Sequence, residues 1–199
     1  MKKSVLSAVL AATFGLVALA PQHASAADGT ITFNGTITDT SCTITGGGAA
    51  TGTGNITVTL PTVSTSAFPS DGATAGETAF SLILGGGTKC TDGKTAALWV
   101  ETASTPALDA STGALKNING SATNVEVQMV NPANNKAINL AVNAAVTNGA
   151  TVIAANNQPA ATIAGNTATL NYVGRYLAKG GTVGAGTVST VMTYSMQYN

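Results

Sequence analysis

Val188-Ser-Thr-Val-Met-Thr-Tyr-Ser-Met-Gln-Tyr198, followed by Asn199, sets Val188, Thr190, Met192, Tyr194, Met196 and Tyr198 on alternate positions. A period of two is that of a β-strand, whose successive side chains point to opposite faces. A long strand with one apolar face at the end of a chain is an aggregation hazard if its edge stays open. The pattern therefore implies a pairing partner, and predicts a strand over Thr187 to Tyr198.

The other end of the chain carries a second strand-like run, in which Ile31, Phe33, Gly35 and Ile37 share one face and Cys42 follows closely. Two readings stand side by side. The segment is an ordinary first strand of its own domain, or it is a strand built to insert into another subunit, where main-chain hydrogen bonds give affinity and alternate side chains fill pockets. Gly35 bears on the choice, because glycine weakens a strand interior and often marks a close approach by another chain.

Between these ends the period of two recurs at Phe80, Leu82 and Leu84 and at Val125, Val127 and Met129. Further strands are predicted at Ile56 to Leu60, Ala97 to Glu101, Ala137 to Ala141 and Thr169 to Leu177. Turn-formers separate them: Gly46-Gly47-Gly48, Pro69-Ser70-Asp71-Gly72, Asp92-Gly93, Asn131-Pro132 and Gly180-Gly181. No long amphipathic helix is evident, and residues 65 to 78 have room for a short helical turn at most. Many short strands with closely spaced turns predict an all-β chain of two packed sheets, of immunoglobulin-like type. Trp99, between Leu98 and Val100, reads as a core or sheet-surface aromatic.

Residues 1–26 have the order of a secretory signal: Lys2 and Lys3, an apolar stretch from Val5 to Ala20, then Ala24-Ser25-Ala26. Thr13, Gly15 and Pro21 argue against a membrane anchor there, and no later stretch reaches the roughly 18 apolar residues of a span. The mature chain is expected to begin at Ala27. It then has 173 residues, six basic against eight acidic, for a net charge of about −2. Nothing basic is clustered, so neither nucleic acid nor an anionic membrane surface is indicated as a partner. An exported chain with only Cys42 and Cys90 is expected to join them in one disulfide. In the chain-entropy model a loop of that length contributes about 4 kcal/mol. A zinc site or reactive thiol is the rival reading; two distant Cys without a histidine lack the usual ligand spacing.

His23, the only histidine, lies in the signal segment, so the mature chain has no Ser-His-Asp or Cys-His set. Gly87-Thr-Lys-Cys-Thr-Asp-Gly-Lys-Thr95 approaches a phosphate-binding loop, but its spacing is one residue too long, and the next residues read as strand where a helix is required. Asp28, Asp39, Asp71, Glu77, Asp92, Glu101, Asp109 and Glu126 form no paired motif of the kind a glycosidase needs. The Asn34, Asn55 and Asn119 sequons are what chance gives in a chain so rich in Asn, Thr and Ser. No catalytic residue, metal ligand or cofactor is assigned.

Several pieces together resemble the pilins of the chaperone-usher pathway, the type 1 fimbrial family of Gram-negative bacteria. They are Gly29-Thr-Ile-Thr-Phe-Asn-Gly-Thr-Ile-Thr-Asp-Thr-Ser-Cys42, Leu60-Pro-Thr-Val63, Ala75-Gly-Glu-Thr-Ala-Phe-Ser-Leu-Ile-Leu84, Val125-Glu-Val-Gln-Met129 and Tyr172-Val-Gly-Arg-Tyr176. The last is Gly186 to Asn199, with a glycine fourteen from the end and a penultimate tyrosine.

The resemblance implies an incomplete immunoglobulin-like β-sandwich, completed by a donor strand from another subunit. It implies a signal peptide at 1–26, a donor-strand extension at 27–39 and a pilin domain at 40–199. Ile31, Phe33, Gly35 and Ile37 would face the acceptor groove; Gly186, Val188, Met192, Tyr194, Met196 and Tyr198 would form the C-terminal strand that walls it. The Asn199 carboxylate would anchor a periplasmic chaperone, which fills the groove until an outer-membrane usher exchanges it for the next subunit. The implied product is a homopolymeric fimbrium on the cell surface, a pilus shaft supporting adhesion and biofilm formation. A minor or adaptor pilin is the nearer competitor. A secreted carbohydrate-binding β-sandwich adhesin is the more distant one, since family adhesins carry a receptor domain in front and no donor strand.

Overall fold

In the computed structural model, residues 31–33, 35–86, 88–143 and 156–199 are described; the predicted signal segment and cleavage point lie outside them. The strands are Thr43–Gly48 (β1), Ala50–Thr51 (β2), Thr57–Val58 (β3), Thr74–Gly85 (β4), Thr95–Val100 (β5), Leu115–Lys116 (β6), Val125–Asn131 (β7), Lys136–Ala137 (β8), Ala160–Thr162 (β9), Ala168–Ala178 (β10) and Tyr194–Tyr198 (β11). Two 3₁₀ turns, Thr65–Ala67 and Thr102–Ser104, complete the regular structure among the described residues.

The pairings are antiparallel. One sheet runs β1-β4-β10-β7-β6, with β8 beside β7; the other runs β11-β5-β9; β2 and β3 form a separate ribbon. Phe80, Leu82 and Leu84 of β4 turn inward with Leu170 and Tyr172 of β10, and meet Leu98 and Val100 of β5 from the other sheet in one core. The predicted alternation on β4 is therefore the core pattern. The Phe80 and Tyr172 rings stack there with centroids 5.4 Å apart. Cys42 and Cys90 are bonded, with Cα atoms 4.5 Å apart.

Several boundaries depart from the expectations. Gly46-Gly47-Gly48 is strand, paired with Leu82, Ser81 and Phe80, rather than turn. Its glycines serve close approach: a Cβ on Gly46 would stand 2.7 Å from Ala50 C and Thr51 N, where the chain folds back over β1. The expected strand Ala137 to Ala141 shrinks to Lys136–Ala137. The Leu140 N–H leaves β7 to donate to Gly113 O (3.0 Å), and Asn139 Oδ1 accepts from Ala141 N–H (3.0 Å), so the ladder cannot continue. Ile138 and Leu140 still reach the core from this loop.

On β7 the alternation does not appear as alternating exposure, because Glu126 and Gln128 on the other face are also buried. Their polar ends are met. Thr112 Oγ1 donates to Glu126 Oε2 (2.7 Å), and Arg175 Nε and Nη2 donate to Gln128 Oε1 at 2.9 and 2.8 Å.

The chain divides into two units, residues 1–37 and 38–199. In the first, the described residues 31–33 and 35–37 form no strand, and Ile31, Phe33 and Ile37 are 84%, 91% and 101% exposed. Among the described residues the predicted strand there has no ladder. The other terminal strand is also shorter than expected, Tyr194–Tyr198 in place of Thr187 to Tyr198.

Candidate functional site

Residues 187–193 fall short of a regular strand because their hydrogen bonds go to one side and to irregular partners. Thr187 O accepts from Ala122 N–H (2.9 Å), Ser189 O from Asn119 N–H (3.1 Å) and Thr193 O from Glu101 N–H (2.9 Å). Their N–H groups donate to Ser121 Oγ (3.0 Å), Asn117 Oδ1 (2.8 Å) and Thr105 Oγ1 (3.1 Å). Thr187, Ser189 and Thr193 are thus satisfied outward. Main-chain groups of an extended chain alternate in direction, so Val188, Thr190 and Met192 present theirs to the other side, where no partner stands among the described residues.

Across from this edge runs Ile56 to Leu60. Thr59 N–H donates to Ala49 O (3.4 Å) and β3 pairs with β2, so this segment is also bonded on its outer side. Ile56 and Leu60 have no main-chain partner among the described residues. Between the two edges lies an open cleft of about 570 Å³. Phe80, Leu82, Leu98, Leu115, Val127 and Met129 line it with Gly174 and Tyr176, so the hydrophobic core is reached directly from outside. At one end Tyr194 Oη donates to Gly54 O (2.6 Å), joining the edges. At the other, Tyr176 and Val188 pack with Phe68 and Val183 in a second small core.

The lining carries no carboxylate, lysine, arginine or histidine. Its titratable groups are the phenols of Tyr176 and Tyr194, both pushed up by burial, with Tyr198 adding to the shift at Tyr194. Such a surface offers apolar contact and main-chain hydrogen bonds. Among the described residues no group of three or more potential metal ligands occurs, and no helix is long and apolar enough to cross a membrane.

Of the residues singled out in the sequence, Val188, Met192 and Tyr194 line the cleft. Gly186 sits just before it, where the chain crosses Ser121 and Ala122 so closely that a Cβ would stand 2.6 Å from Ser121 C. Met196 and Tyr198 lie beyond the cleft on β11 and pack against the core. The Tyr198 hydroxyl accepts from Cys42 N–H (3.3 Å), tying the terminal strand to the disulfide. Asn199 extends the β11 ladder by one step, exchanging bonds of 3.0 and 2.8 Å with Thr95. Sequence reasoning placed a strand at Ile56 to Leu60, of which Thr57–Val58 is strand, but did not read it as the edge opposite the C-terminal run. It also missed Gly174, whose place on an inward strand position was the same signal noticed at Gly35.

Residues 60–199 match the family described as Type-1 fimbrial protein, A (FimA). Major fimbrial subunit SMF-1 of Stenotrophomonas maltophilia (strain K279a) is 38% identical over 186 residues, covering 92% of this chain and 100% of that protein. The F17 fimbrial protein of Escherichia coli is 36% identical over 191 residues, 92% of this chain and 95% of that one. Among solved structures, the CupB6 tip adhesin from Pseudomonas aeruginosa aligns with a TM-score of 0.49 and 16% identity, over 69% of this chain and 34% of that one.

Proposed function

The chain belongs to the type-1 fimbrial protein family, a family of structural subunits and not of enzymes, and from that premise we propose that it builds a pilus shaft by donor-strand exchange. Each copy lays residues 27–39 into the cleft of a neighbour, and its own cleft receives the same segment from another copy. The carrying observation is the cleft itself, an entry to the core flanked by two edges with unused main-chain groups. The exposed Ile31, Phe33 and Ile37 supply what it lacks.

The dimensions and energies fit. At about 3.3 Å per residue, Ile31 to Ile37 spans about 20 Å, as does the edge from Val188 to Tyr194. Burying three large apolar side chains contributes about 5 to 8 kcal/mol. Each main-chain bond to the open edges adds about 1 kcal/mol and removes an aggregation-prone edge. A joint completed inside a fold opens slowly, which suits a fibre under load.

An unfilled apolar cleft is hazardous in a free subunit. That is the physical reason for a periplasmic chaperone holding the subunit by its cleft and Asn199, with an outer-membrane usher as the place of exchange. Export by a signal at residues 1–26, surface display, adhesion and biofilm support complete the reading. The relatives carry the names of a major subunit and a fimbrial protein, which favours a shaft over an adaptor subunit.

The test is deletion of residues 27–39. The subunit should remain folded and bound to its chaperone yet fail to join the subunit in front, scored from shear-released fibres on a non-dissociating gel. A normal ladder would sink the reading.

A further inference from the structure

Thr40 is buried, Ser41 N–H donates to Lys89 O (2.8 Å) and Cys42 is bonded to Cys90. From Thr40 onward the chain is therefore fastened to its own domain. The segment read above as the donor has Ile37 as its last inward side chain. Three Cα steps lead from Ile37 to Thr40, a reach of about 10 Å even when fully extended. A copy that lends this segment thus brings the Lys89 corner of its own domain against the copy that receives it. Strand direction selects the place of contact. The run from Val188 to Tyr194 is the longer of the two open edges, and antiparallel pairing is the stronger kind per residue. The inserted strand then runs against that edge, with Ile37 towards Val188, and the lending domain lies beyond Val188.

At that end the surface carries a fixed ledge, the loop of residues 117–122 between β6 and β7. The Asn117 side chain holds it: Nδ2 donates to Ala122 O (2.8 Å) and Thr187 O (3.1 Å), and Oδ1 accepts from Gly120 N–H (3.0 Å) and Ser189 N–H (2.8 Å). Both ends of the amide are used to fasten the loop to residues 187–189, so it is braced on its own domain. Ile118 stands on this ledge, 42% exposed, and packs in neither core among the described residues. A single exposed isoleucine needs no explanation in itself. Its place beside the end of the cleft, where a short tether must deliver another domain, gives this one a partner. We propose that residues 117–122 are a docking ledge for the domain of the lending copy, with Ile118 packing against that copy's loop at residues 88–91. This rests on the donor-strand reading above. Consecutive domains are then held by an inserted strand and by a surface contact beside it, and the second hold resists bending at the joint.

The test uses fibres assembled from the full chain. With p-benzoylphenylalanine in place of Lys89, irradiation and mass spectrometry of the digested fibres should show cross-links to residues 117–122 of the neighbouring copy. A Gly-Ser-Gly-Ser-Gly insertion between Asp39 and Thr40 leaves residues 27–39 unchanged but frees the domain from the ledge. Its fibres should keep a normal ladder on a non-dissociating gel, while their persistence length in electron micrographs falls to about half that of wild type or less, as a flexible linker allows. Ile118→Ser should shorten the persistence length in the same direction and leave the melting temperature of the monomer unchanged, since the side chain is exposed there. Cross-links to the Gly54 and Tyr194 end, an absence of cross-links between copies, or a persistence length unmoved by Ile118→Ser would overturn the ledge while leaving the donor-strand reading intact. A ladder that survives deletion of residues 27–39 would overturn both.

Discussion

Replacing Phe33 with alanine separates fibre from subunit more cleanly than any other change. The side chain is 91% exposed in the single copy, so its loss should leave the melting temperature of the monomer within about 1 °C, as for other exposed sites without partners. On the donor-strand proposal the same ring would enter, in the fibre, a cleft lined by Phe80, Leu82 and Leu98. Full burial of such a side chain contributes about 1.5 to 3 kcal/mol, which corresponds to about a 10- to 150-fold weaker joint. Shear-released fibres heated in detergent through a temperature series, then run on a gel, report how readily joints open. Phe33→Ala fibres should dissociate at a lower temperature and over shorter times. Joints as durable as the wild type would refute the insertion of Phe33. A monomer that loses as much stability as the fibre would refute it too, by placing the ring against its own domain.

Leu84 is fully buried, and Leu84→Ala should cost about 2 to 5 kcal/mol, measured as a lower denaturation midpoint with fibre joints no weaker per copy. Cys90→Ser, which opens the loop closed on Cys42, should cost up to about 4 kcal/mol; a denaturation midpoint unmoved by reductant would contradict that. Stability should also respond to pH through two carboxyls with opposite signs. Asp109 is held at about 2 by hydrogen bonds from the Ser111 hydroxyl and N–H, so its contribution is present above the ordinary aspartate range and disappears as pH falls towards 2. Burial raises Glu126, so its contribution is complete below the ordinary glutamate range and is lost as pH rises through the raised value. Melting temperatures from pH 2 to 7 should show Asp109→Asn without the acid-side decline and Glu126→Gln without the loss on the rising side. Profiles parallel to wild type would show that neither group is coupled to folding.

Period-two alternation was enough to place β4, because one of its faces lies in the core and the sequence must supply it, and the further strands expected at 97–101 and 169–177 coincide with β5 and β10. It also marked both terminal runs, of which only Tyr194–Tyr198 is strand among the described residues. Where it failed, hydrogen bonding was the reason. Gly46 to Gly48 looked like a turn from composition, yet became strand because β1 needs bare backbone where residues 50 and 51 cross it. Ala137 to Ala141 had strand-like composition, but the Leu140 N–H found its partner in another loop.

The alternation at residues 188–198 by itself determined that the C-terminal run presents an apolar face, and the run at 31–37 determined that a second such face exists at the other end. Side-chain chemistry along the chain is enough for that. Tertiary structure alone decided that the first run divides into a ladder with β5 and a stretch where Val188, Thr190 and Met192 have no main-chain partner among the described residues, and that Ile56 to Leu60 lines the same cleft. Those facts depend on which main-chain groups are left without partners once distant segments have packed. No local pattern records that, because a hydrogen bond that is missing has no residue of its own.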